Sequence, residues 1–327
     1  MIVHLIGGDF GCGKTAHILA AAREMQQRGT PVGVVVYTPG QLPVDALAYQ
    51  AANLPTLALP TGQARDAGAA RLARFYRLVR PQVVFVELPG SFCGPAAGAA
   101  GCFYPLAEGD APGYTVVANA AQLQPARAGD GSGAAGRVLR QAAGAGRLLL
   151  YGARDGDGAL EAWRAALPGV AVQCAGPDAP AGPWENAVSG GAGVAQDEDG
   201  RPQGVPGFTW VEARAEIHLP HATGRQHVTR LAQAAAGELR SRGGLLHLKF
   251  FFQGVIGKAL VSMGPLAEDG WERRVPLFSG DRVNLWVNSW WEGDAAGALP
   301  ALEAALTPAG DDPGVQRAAF EGRESPA

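Results

Sequence analysis

The first half of the chain alternates short apolar runs with longer segments of helical spacing. Ile2-Val3-His4-Leu5-Ile6 opens it. Val32-Gly33-Val34-Val35-Val36-Tyr37 and Val83-Val84-Phe85-Val86-Glu87-Leu88 follow, with further runs at Tyr114–Ala118, Arg147–Tyr151 and Val170–Gln173. Near-continuous apolar runs of this length suit parallel strands buried on both faces. A shorter strand is expected at Leu57-Ala58-Leu59. Between the runs, Ile18, Ala22 and Met25 share one helical face, and Gly29 ends that helix. Further helices are expected over 45–52, 66–79, 134–145 and 158–167. Strands alternating with helices predict a three-layer α/β domain around a mostly parallel sheet, with ligands at the carboxyl ends of the strands.

The pattern changes after Cys174. Residues 174–207 are rich in Gly, Pro, Ala and Asp, which predicts a linker with a mobile loop near 189–206. Phe208–Ile217 then alternates as a half-buried strand. A long helix is expected over 221–242, closed by Gly243-Gly244, and strands over Leu245–Phe252 and Arg282–Trp290. A final helix is expected over 296–306, and a frayed tail of about 20 residues beyond it. This half reads as a small α+β domain. The expected organisation is a nucleotide-binding domain over 1–188, a linker over 189–207 and the α+β domain over 208–327.

Chemistry concentrates where the first strand meets the first helix. Gly8-Asp9-Phe10-Gly11-Cys12-Gly13-Lys14-Thr15 has the form of a phosphate-binding P-loop. Backbone N–H groups of such a loop and the helix N-terminus converge on one spot, where aligned peptide dipoles favour an anion. Lys14 is placed to bridge β- and γ-phosphates, and the Thr15 hydroxyl to ligate Mg²⁺. Lys14 is the only lysine before residue 249, so the motif does not arise from lysine abundance. Glu87-Leu88-Pro89-Gly90 ends a second core strand. An acidic residue there holds Mg²⁺ in P-loop NTPases, usually through water, and a nearby glycine lends its N–H to the γ-phosphate. Glu87 and Gly90 fit those roles.

Composition narrows the partners. With 327 residues, 47% hydrophobic and 17% charged, the chain can bury a full core. A net charge of −3 gives no electrostatic case for nucleic acid or an anionic membrane. No apolar run approaches the roughly 18 residues a membrane span needs. The first strand leads straight into the glycine-rich loop, unlike a signal peptide. Cys12, Cys93, Cys102 and Cys174 include no C-x-x-C pair, so a reducing cytoplasm without disulfides is expected. Cys12, Cys93 and Cys102 lie in glycine-rich loops, where packing and metal ligation are both open readings. His218 and His221 flank Pro220 and make a weak ligand pair; His247 on an apolar strand reads as a core residue. Trp286 and Trp290 share a strand face, which suits core packing, while a partner surface including Trp291 stays open.

Taken together, these pieces resemble the CobW-type P-loop GTPases, a metallochaperone family with cobalamin-synthesis and zinc-handling members. Leu5-Ile6-Gly7-Gly8-Asp9-Phe10-Gly11-Cys12-Gly13-Lys14-Thr15 resembles the family's opening, and Glu87-Leu88-Pro89-Gly90 its Glu-x-x-Gly motif. Leu245-Leu246-His247-Leu248-Lys249 and Asn288–Asp294 resemble strands of its C-terminal domain. The chain departs from the family in two places. Leu59–Asp66 has no cysteine where the family carries Cys-x-Cys-Cys, the thiolates that would hold a borderline metal. The guanine-reading Asn-Lys-x-Asp is replaced by Tyr151-Gly152-Ala153-Arg154-Asp155, in which only Asp155 could still accept from guanine.

The resemblance implies a cytoplasmic switch that binds Mg²⁺ and GTP, with ATP also possible. Lys14 and Glu87 would carry slow hydrolysis. Gly8, Gly11, Cys12, Gly13, Lys14, Thr15, Ala16, Gly90 and Asp155 would contact nucleotide, and Thr15 and Glu87 would hold the metal. Loops near 38–45 and 90–102 would respond to the γ-phosphate. The client would be a metalloenzyme or corrinoid protein under maturation. Two rivals stand beside this: a scaffold that has lost hydrolysis and metal transfer, and a P-loop kinase acting on a small molecule.

Overall fold

The computed structural model describes residues 1–38, 42–61, 65–90, 92, 112–120, 133–153, 158–175, 208–218, 225–254, 258–263, 271–272, 282–292, 295, 297–306 and 316–326. In chain order the elements are β1 (Ile2–Gly8), α1 (Lys14–Gln27), β2 (Val32–Thr38), α2 (Val44–Ala51), β3 (Thr56–Pro60), α3 (Arg65–Val79), β4 (Val83–Glu87) and β5 (Gly113–Asn119). Then come α4 (Gly133–Ala142), β6 (Arg147–Tyr151), α5 (Gly158–Ala166), β7 (Ala171–Ala175), β8 (Phe208–His218), α6 (Arg225–Ser241) and β9 (Leu245–Gln253). The last are β10 (Lys258–Met263), β11 (Trp271–Glu272), β12 (Arg282–Glu292), α7 (Ala298–Ala305) and β13 (Gln316–Pro326). The chain divides into two compact units, one of Met1–Pro39 with Ala52–Val205, the other of Gly40–Ala51 with Pro206–Ala327.

The first unit is the expected α/β layer structure. Its sheet runs β3-β2-β4-β1-β5-β6-β7, and every neighbouring pair is parallel. The apolar runs are buried on both faces. Leu5, Val35, Val84 and Val86 join Leu72 of α3, Val138 of α4 and Trp163 of α5 in one core. On alternate positions Ile6, Val34 and Phe85 are also fully buried, and α1 packs over β1, β2 and β4. Burying a Val, Leu or Phe contributes about 1.5–3 kcal/mol each. This double layer therefore holds the strand ends, and the loops that follow them, in fixed places.

The second unit is built on a six-stranded antiparallel sheet, β11-β10-β9-β12-β8-β13. One face is apolar. Val211, Ala213, Phe250, Phe252, Leu285 and Val287 pack against Ala232, Ala235 and Leu239 of α6 and Leu302 of α7. The other face carries Trp210, Glu212, His247, Lys249, Trp286, Asn288 and Trp290. Trp291 lies on the apolar face with Leu285 and Val287, as alternation requires, and the register against β9 shifts between Trp290 and Trp291, which face His247 and Leu245.

Two expectations are revised. The tail expected to fray is instead β13, paired along β8 from Gln316 to Pro326. Its residues are mostly polar and carry no apolar alternation, and Phe320 packs against the second unit's core. The helix over 44–51 forms as expected, but Gly40–Ala51 clusters with the second unit rather than with the strands on either side of it.

Candidate functional site

β1 delivers the glycine-rich loop at its carboxyl end. Gly8 has φ 142°, and a Cβ there would lie 2.2 Å from the Val117 carbonyl oxygen, so both backbone angle and space require glycine. Gly13 caps α1 with φ 100°; no side chain caps the helix, and its first turn holds no acidic residue. The positive end of the α1 dipole is thus left for an anion. Lys14 Nζ donates to the carbonyl oxygens of Gly8 and Asp9, each at 2.9 Å. The Thr15 hydroxyl donates to Glu87 Oε1 at 2.9 Å across 72 residues. Glu87 is buried at the end of β4, in register with Ile6 on β1 and Val36 on β2. Lys14, Thr15 and Glu87 therefore meet at the carboxyl edge of the central strands.

A second set of side chains braces the loop from α4. Gly8 N–H donates to Gln141 Oε1 at 2.6 Å. Arg137 grips Asp9 with both arms, Nε to Oδ1 at 2.8 Å and Nη2 to Oδ2 at 2.9 Å. This forked pair is buried on both sides, with side-chain exposures of 9% and 6%, the geometry in which arginine–carboxylate contacts are strong. The Arg137 guanidinium also lies 5.9 Å from the Phe10 ring centroid. Phe10 in turn presses on Gly90, where a Cβ would come within 2.6 Å of ring carbon Cδ1. Sequence reasoning did not single out Arg137 or Gln141. A polar pair at i, i+4 beside Val138 and Ala142 was the available sign, since that spacing points two side chains the same way.

The loop's thiol is buried. Burial pushes the Cys12 pKa up, and Lys14, 4.0 Å from Sγ, only partly opposes this. That favours a neutral thiol, the form suited to packing. Beneath the loop, His17 Nδ1 and Tyr151 Oη are 2.7 Å apart. Burial, with a smaller contribution from the Arg147 charge, lowers His4 and His17 to about 4. Burial raises Tyr151 to about 12.

Gly8, Gly11, Cys12, Gly13, Lys14, Thr15 and Ala16 form one continuous loop and helix start. Glu87 joins them through Thr15, and Gly90 touches Phe10. Asp155, Cys93, Cys102, His221 and most of the 90–102 loop lie outside the described residues. His247 is buried and bonded to Ser262 Oγ at 2.8 Å, and His218 pairs with Glu216 at 2.9 Å. Among the described residues, no cluster of three or more His, Cys, Asp or Glu side chains could hold a metal.

No protein-family model and no curated protein matches the chain. Solved structures do, at low identity. Hydrogenase maturation factor HypB from Archaeoglobus fulgidus is 13% identical at TM-score 0.38, covering 54% of this chain and 81% of its own. HypB from Helicobacter pylori in complex with nickel is 14% identical at 0.40, covering 55% and 80%. Zn(II)-bound YjiA GTPase from E. coli is 12% identical at 0.35, covering 94% and 99%. These values are too low for the likeness to carry a function.

Proposed function

We propose that the chain is a P-loop nucleotide switch that binds a Mg²⁺-nucleoside triphosphate at Gly8–Thr15, GTP by preference and ATP as the alternative. The observation that supports it best is the Thr15–Glu87 hydrogen bond. Two motifs read separately in the sequence supply adjacent oxygen donors, the class a hard cation takes. Lys14 sits beside them on two carbonyl oxygens that phosphate oxygens could replace. The bare start of α1 offers its N–H groups to the same anion.

In this reading Lys14 holds the phosphates, Thr15 and Glu87 hold Mg²⁺ and its waters, and the Gly90 N–H meets the terminal phosphate. When bound, Mg²⁺ neutralises charge on the phosphates. Hydrolysis is slow because Arg137, the guanidinium buried beside the loop, is committed to Asp9 and is not available to the transferring group. Asp155 would read the base. The resemblance to CobW-type GTPases extends the reading to a cytoplasmic client protein under metal or cofactor maturation.

Isothermal titration of the full chain with Mg²⁺-GTP and Mg²⁺-ATP tests this. Binding is expected, and Lys14→Ala should weaken it by about 100-fold, roughly 2.7 kcal/mol. Equal affinity for both nucleotides would remove the guanine preference. No binding of either would leave the fold as a scaffold.

A further inference from the structure

The second unit devotes a row of side chains to a segment that the sequence places between β2 and β3 of the first. Lys249 on β9, Asn288 on β12 and Glu212 on β8 are register partners across three adjacent strands. Together they grip residues 42–45. The Leu42 N–H donates to Glu212 Oε2 at 3.0 Å, and its carbonyl accepts from Asn288 Nδ2 at 2.9 Å. Asp45, in the first turn of α2, pairs with Lys249. Trp210 Nε1 adds a hydrogen bond to Glu212 at 3.2 Å. Glu212 is 2% exposed and Asn288 4%. Behind this grip Val44, Ala46 and Tyr49 of α2 are fully buried.

Buried polar groups are tolerated in a sheet when they are hydrogen-bonded. Here both backbone groups of Leu42 supply those bonds to Glu212 and Asn288, so removing the segment would strip partners from two buried side chains. The other end of the segment begins four residues earlier, at Thr38, where β2 ends. β2 lies beside β4, with Val36 in register with Glu87. The same stretch of chain thus starts at the edge that carries Lys14, Thr15 and Glu87 and ends on the second unit's sheet.

We propose that residues 42–51 are the transmission segment of the molecule, with Lys249, Asn288 and Glu212 as the positioning residues that read it. The proposal rests on the nucleotide reading above: binding at the loop would shift the end of β2, and the row would sense this through the Leu42 peptide and Asp45. It gives the His247-Leu248-Lys249 strand a task that core packing does not.

Hydrogen–deuterium exchange on the full chain, with and without Mg²⁺-GTP, reads this directly. Nucleotide is expected to change exchange in 8–15, 42–51 and 208–218 by at least about threefold. Lys14→Ala should abolish all of these changes. Lys249→Met and Asn288→Ala should keep nucleotide affinity and the change at 8–15 while losing the change at 208–218. Lys249→Met keeps the length of the side chain, so that variant keeps the test open if Asn288→Ala fails to fold. A response confined to 8–15 in the unmodified chain would overturn transmission and leave binding intact. No response and no bound nucleotide would overturn the nucleotide reading and the transmission together.

Discussion

In the first unit the polar side chains of the site gather at strand ends, whereas in the second a polar row lies in mid-sheet. The parallel sheet is covered on both faces: Leu5, Val35 and Val86 on one and Ile6, Val34 and Phe85 on the other are all fully buried. Its edge of loops is where Asp9, Lys14, Thr15 and Glu87 can collect. In the antiparallel sheet α6 and α7 fill one face, and the other accepts Glu212, Lys249 and Asn288. How a sheet is covered decides where it can hold polar chemistry. The strand-end anchor is a deeply buried ion pair. The mid-sheet anchor combines hydrogen bonds to the Leu42 peptide with a pair whose side chains are 12% and 24% exposed.

Breaking the strand-end anchor is expected to have the largest effect. Asp9→Ala leaves Arg137 buried without its carboxylate and should cost about 3–5 kcal/mol in urea unfolding. Adding Arg137→Met to it should return much of that loss. Failure of the double variant to recover would mean that Asp9 acts through something other than the pair.

Acid should weaken the first unit next. His4 and His17 have folded-state values of about 4 against an ordinary 6.5, so the unfolded chain binds their protons more readily. Stability is therefore full above pH 6.5 and falls as pH drops toward 4, by about 3 kcal/mol for each histidine at the limit. Urea midpoints at pH 7 and pH 5 check this, and His4→Leu should roughly halve the difference. A still smaller loss, about 1–3 kcal/mol, is expected for Gly90→Ala, because the added methyl must displace the Phe10 ring. Phe10→Leu should relieve part of it.

Lys249→Ala sits at the bottom of the scale, at about 1 kcal/mol or less, since water reaches both partners of that pair. A loss as large as that of Asp9→Ala would erase the contrast between the two anchors.

The sequence carried the parts whose causes are local. Apolar runs such as Val32–Tyr37 and Val83–Leu88 marked buried parallel strands. The glycine and lysine positions of the loop marked the strand end that holds the site. The Arg137–Asp9 and Gln141–Gly8 contacts span 128 and 133 residues, and the i, i+4 spacing of Arg137 and Gln141 does not name the partners they reach. A helix was expected over 45–52 and forms over Val44–Ala51, but Val44 and Tyr49 could have covered either sheet. Trp291 was grouped with Trp286 and Trp290 as a partner surface, but strand alternation sets it on the opposite, apolar face. β13 escaped notice because its residues carry no apolar alternation.

The gripped segment also imposes an order on biosynthesis. Residues 42–45 leave the ribosome 170 to 246 residues before the side chains that hold them. At about 5–20 residues per second, that is roughly 10–50 s of waiting. Throughout it, Val44 and Tyr49 have no sheet to cover them. The first unit can assemble early, but only with a bare apolar helix looped out from between two of its strands. That helix is a natural foothold for a chaperone on the nascent chain, and it vanishes only once β12 has emerged and joined β9 and β8.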